Sequence, residues 1–81
     1  MQIIYSGQAK RFLKRQNTIV RKRLVDAIEK IPEGKGDIKK LEGRQGWRLR
    51  VGIYRIIFDK DGRILFIERI NTRGDVYKGG F

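Results

Sequence analysis

The stretch WRLRVGIYRIIF, Trp47 to Phe58, decides how the chain folds. Trp47, Leu49 and Val51 alternate with Arg48 and Arg50, and an apolar run follows Gly52, the pattern of two strands. A two-residue turn at Gly52 and Ile53 sets Val51 opposite Tyr54 and Arg50 opposite Arg55. Like charges facing each other on one sheet surface are destabilising, and the stretch holds no acidic residue to separate them. With Trp47, Leu49 and Val51 turned into a core, the arginines share the opposite face.

Outward from this hairpin the pattern is simple. Gln2 to Tyr5 predicts a short strand, and Ser6 caps a helix striped by Ala9, Phe12 and Leu13. Gln16-Asn17-Thr18 is a break with capping residues. A second helix follows, striped by Val20, Leu24, Ala27, Ile28 and Ile31 and ended by Pro32. Pro32 to Gly46 is rich in Gly and Lys and reads as a loop anchored by Leu41. Asp59 to Gly62 signals a turn. Ile64 to Ile70 is apolar at both parities, which predicts a central strand at least partly covered on both faces. The tail NTRGDVYKGGF begins as a loop and ends in a short segment around Val76 and Tyr77. The expected fold is α+β, in the order β-α-α-β-β-β. It has a helical hairpin on one face of a small, mainly antiparallel sheet, one domain over residues 1–81.

Composition narrows the chemistry. Cys and His are absent, which removes thiol catalysis, imidazole bases and disulfides, and fits a reducing, cytoplasmic compartment. The start, MQIIYSGQAK, predicts neither a signal peptide nor a membrane-spanning helix. A net charge of +11 exceeds what solubility needs and points to a polyanionic partner bound in a salt-sensitive way. The competing reading is a solvated basic surface with no specific partner.

Arg48, Arg50, Arg55 and Arg73 are the candidate phosphate-binding set. Guanidinium forks match phosphate oxygens and stack on bases, and a bound phosphate relieves their mutual repulsion. Ordinary exposed arginines screened by water are the plainer alternative. Tyr77 is a candidate to bond a phosphate or stack on a base, or else an anchor for the C-terminal segment. Trp47 fits the core better than a base platform. The helix charges from Lys10 to Arg23 fit a solvated face or a docking surface. Glu42, Glu68 and Asp75 do not form a ligand-like set, so no metal or other cofactor is expected. The remaining chemistry is one in which the substrate brings its own nucleophile. RNA does so with its 2′-hydroxyl, if arginines align the phosphate and stabilise added negative charge.

LEGRQGWRLRVGIYRIIF, followed after one more strand by INTRGDVYK, resembles the RelE/ParE superfamily of bacterial toxins, and most of all the RelE-type mRNA interferases. The resemblance covers nearly the whole chain. It implies the toxin of a type II toxin–antitoxin pair, a metal-independent endoribonuclease that cleaves mRNA, often at the ribosome, by 2′-hydroxyl attack. It also implies a small antitoxin covering the basic surface. The family's basic pair falls on Arg48 and Arg50, and the arginine of its YR pair on Arg55. Its later arginine falls on Arg73 and its C-terminal tyrosine on Tyr77. Some relatives carry lysines at the positions of Arg48 and Arg50, one of them serving as the base. An arginine suits charge stabilisation better. Others use a carboxylate before the second strand, for which Asp37 and Glu42 are the two choices here. The other implied reading is a ParE-like toxin that binds DNA gyrase and cleaves nothing.

Overall fold

Two polar residues begin the helices as expected, in the structure, a computed structural model that describes residues 1–72. Ser6 caps α1 (Gly7–Arg15), its Oγ accepting from the Ala9 amide at 3.1 Å. Asn17 caps α2 (Thr18–Glu29), its Oδ1 accepting from the Val20 amide at 2.8 Å. A short 3-10 turn at Ile31–Glu33, with Pro32 in it, ends the second helix. Arg21 does not simply face water with its charged neighbours. Its guanidinium donates to the carbonyls of Leu13 at 2.9 Å and Gln16 at 2.8 Å, satisfying the end of α1 and fixing the helices to each other.

The strands are β1 (Gln2–Tyr5), β2 (Asp37–Lys40), β3 (Trp47–Val51), β4 (Tyr54–Lys60) and β5 (Ile64–Thr72). They form one sheet in the order β1-β5-β4-β3-β2, with β1 parallel to β5 and every other pair antiparallel. The helices cover one face. Ala9, Leu13, Leu24 and Ile28 from the helices and Leu49, Ile56, Phe58, Leu65, Ile67 and Ile70 from the strands make the buried core. Trp47 joins it, stacked on Phe58 with ring centroids 6.1 Å apart. The fold is therefore the expected α+β arrangement, with three differences.

First, the segment read as a loop contains β2. Asp37, Lys39 and Lys40 give it no apolar alternation, so its strand character comes from pairing with β3, where Ile38 faces Leu49. Charged residues suit such an edge position. Second, β5 runs to Thr72, so Asn71 and Thr72 belong to the strand and not to a loop. Third, β5 is interior as expected, between β1 and β4, but only its core face is well covered, since Phe66 on the other side is 38% exposed.

A bulge explains the mixed parity of β5. Ile57 pairs with Arg69 while Phe58 pairs with Ile67, leaving Glu68 as an extra residue. The buried phase shifts there from Leu65 and Ile67 to Ile70. The α1 cap Ser6 and the α1 residue Gln8 hold this region. The Ser6 hydroxyl donates to the Glu68 carbonyl at 2.6 Å. The Gln8 side-chain amide donates to the Ile70 carbonyl at 2.8 Å and accepts from the Ile70 amide at 2.9 Å.

Candidate functional site

The β3–β4 hairpin has the register that its sequence suggests: Val51 faces Tyr54 and Arg50 faces Arg55. Gly52 has φ +60° and, among the described residues, none other than glycine has positive φ, the signature of a type II′ turn with glycine at its first central position. Because Leu49 and Ile56 are buried toward the helices, Arg48, Arg50 and Arg55 share the face that the helices leave open. Asp37 pairs with Arg50 and Lys39 with Arg48, so β2 adds both residues to that face.

An acidic group does approach the arginines, from β2 and outside the stretch that defines the hairpin. Asp37 Oδ2 lies 3.9 Å from Nη1 of Arg48 and 3.9 Å from Nη1 of Arg50. The Asp37 side chain is 60% exposed, so water screens both contacts and each contributes roughly 0–1 kcal/mol. One carboxylate against three guanidinium groups leaves an excess of two positive charges on this set. Arg48 is held tightly, its side chain only 13% exposed. Its Nη1 and the Nε of Arg55 are buried with no hydrogen-bond partner. Buried donors of this kind are costly unless a ligand satisfies them. Oxygens of a phosphate would do so.

Arg73 and Tyr77 lie outside the described residues. Glu42, in the β2–β3 connection, forms no described contact with the arginines, whereas Asp37 does. Arg69 is a member of the open face that the sequence pattern did not single out. It pairs with Ile57, which pairs with Arg48, so these residues form one row across β5, β4 and β3. The shift at Glu68 hid it, because unbroken alternation from Leu65 and Ile67 assigns Arg69 to the core.

The connection before β3 is pinned to the far part of the same face. Arg44 makes a two-pronged contact with Glu68, 2.9 Å to each carboxylate oxygen, and the Gln45 amide donates to Asp59 at 3.1 Å. Asp61, in the β4–β5 turn, accepts from the amides of Arg63 and Ile64, each at 3.0 Å. These backbone donors hold its carboxyl below the usual carboxylate range.

Solved structures share this fold. The chain is 27% identical to its counterpart in the RelB–RelE antitoxin–toxin complex of Methanococcus jannaschii, with a TM-score of 0.77 over 96% of this chain and 99% of that one. The chain has the RelE-like fold. Two further structures share the RelE-like fold. The archaeal RelE–RelB complex of Pyrococcus horikoshii is 23% identical, with a TM-score of 0.74 over 90% of this chain and 94% of that one. The YoeB dimer of Staphylococcus aureus is 22% identical, with a TM-score of 0.71 over 85% and 92%. No protein-family profile and no curated protein sequence matches the chain.

Proposed function

We propose that this RelE-like chain is the toxin of a toxin–antitoxin pair and a metal-independent endoribonuclease that cleaves mRNA at the ribosome, in the cytoplasm. The observation that carries the reading is the gathering of Arg48, Arg50 and Arg55 on one open face, two of them with buried nitrogens that lack a hydrogen-bond partner, beside the carboxylate of Asp37. Among the described residues no helix is long and apolar enough to cross a membrane.

In this mechanism the arginines bind the scissile phosphate and hold the ribose 2′-oxygen in line with it. Asp37 accepts the 2′-hydroxyl proton as the new 2′-O–P bond forms. Arg50 and Arg55, with Arg73 from the C-terminal segment, stabilise the added charge on the pentacoordinate phosphorus. The bond from phosphorus to the 5′-oxygen then breaks, leaving a 2′,3′-cyclic phosphate, and Tyr77 supplies the proton that the leaving oxygen takes up. Arg48 orients the phosphate. The cognate antitoxin covers the same basic face with acidic residues, and the pair weakens with salt.

The test is primer extension on mRNA from briefly induced cells, together with purified ribosomes programmed with a defined message. Cuts within codons are expected, and Arg50→Ala should lower their rate by about a hundredfold or more. Intact messages with arrested growth would overturn the reading in favour of a gyrase-binding, ParE-like toxin.

A further inference from the structure

The open face does not end at the arginines. Cross-strand partners arrange it in successive rows: Asp37, Arg50, Arg55 and Asn71; then Lys39, Arg48, Ile57 and Arg69; then Asp59, Phe66 and Ile4. Residues two apart on a strand are about 7 Å apart, so the third row lies about 14 Å from the first. The first two rows are basic. The third is aromatic and apolar, with Phe66 and Ile4 each 38% exposed. Beside it opens a cavity of about 200 Å³ lined by Gln45, Asp59, Lys60, Asp61, Ile64 and Phe66. Its wall is fixed in advance by the hydrogen bond from Gln45 to Asp59 and by the two-pronged contact of the neighbouring Arg44 with Glu68.

We propose that this cavity is a base-binding subsite, in which Phe66 stacks against one base of the RNA strand and the Asp59 and Asp61 carboxylates select a base that bears an exocyclic amino group. The inference rests on the RNA-cleaving reading and adds a specificity determinant to it. A strand running along β4 places phosphates over the two arginine rows and brings a nearby base to the aromatic row. The small cavity suits a single base. Aromatic side chains stack on any base, so Phe66 contributes affinity with little selectivity. Selectivity comes from the carboxylates. Asp61 is held ionised by two backbone amides and is acceptor-only, so it matches the amino group of guanine, adenine or cytosine. Uracil, with carbonyl oxygens in place of that group, meets the carboxylate unfavourably.

The experiment is equilibrium binding of 2′-fluoro RNAs of about eight nucleotides, a length within the span of such grooves. These RNAs cannot be cleaved for want of the 2′-hydroxyl. Each carries a single guanosine at one position of a uridine background. One guanosine position should bind about tenfold tighter than all-uridine RNA. Phe66→Ala and Asp61→Ala should each abolish that preference, and Phe66→Tyr, which keeps the stacking surface, should retain it. Arg50→Ala should weaken all the RNAs alike. Urea melting of the Phe66 and Asp61 variants separates a lost contact from a lost fold. Equal affinity for every RNA, with Arg50→Ala still weakening all of them, overturns the subsite and leaves the RNase reading standing. So does a preference unchanged in Phe66→Ala and Asp61→Ala. RNA binding unaffected by Arg50→Ala overturns the RNase reading and the subsite together.

Discussion

Ser6 does two jobs with one hydroxyl. Its oxygen accepts from the Ala9 amide at the start of α1 and donates its proton to the Glu68 carbonyl on β5. The first role is legible in the sequence, because a serine before an apolar helical stripe is a cap signal. The second is not, because Glu68 lies 62 residues away and is brought near only by the fold. Ser6→Ala removes both bonds and should destabilise the protein by about 1–2 kcal/mol, more than a cap alone typically contributes. Chemical denaturation with an unchanged m-value checks this. The candidate site divides in the same way. Arg48, Arg50 and Arg55 follow from alternation and turn length within one hairpin. The approach of Asp37 depends on a strand pairing that its own residues do not announce.

At the scale of elements, apolar periodicity predicted the helices, β1 and the β3–β4 hairpin because each of them buries a stripe or a face. It missed β2, which has only Ile38 to bury and depends on its neighbour for strand geometry. It left the two faces of β5 unassigned, since apolar residues fall at both parities and the extra residue at Glu68 exchanges the faces of the strand. The hairpin turn carries the geometry of the site. Gly52 stands at φ +60° with the Arg23 guanidinium packed over it, and a Cβ there would lie 2.9 Å from Arg23 Nη2. The arginine tip can swing aside, so the backbone decides the cost. Gly52→Ala should cost about 1 kcal/mol from left-handed strain. Thermal melting should show that loss. RNA cleavage should fall as well, because Arg50 and Arg55 face each other one step beyond this turn.

Across the whole molecule, the positive charge has two settings. On the helices, Lys10, Lys14 and Lys22 are exposed, and Lys22 has Asp26 for company at 3.1 Å. On the open sheet face, the arginines are half-buried and partly unpartnered. Under the proposed function, only the second setting holds a phosphate at short range. The logarithm of the RNA affinity should therefore fall linearly with the logarithm of salt concentration. Arg50→Ala should flatten that line by about 0.7, the contribution of one phosphate contact to a single strand. Lys22→Ala should leave the slope unchanged, and titrations at several salt concentrations distinguish the two.

β1 stops at Tyr5, paired with Ile67, while β5 continues past it. An interior strand that outruns its neighbour presents a raw flank to any extended peptide in the cell, the usual starting point for runaway strand addition. The Gln8 amide occupies that flank at Ile70, giving and taking one hydrogen bond as a strand residue would. With the Ser6 hydroxyl on the Glu68 carbonyl, two side chains thus cap the described part of this flank without lengthening the sheet.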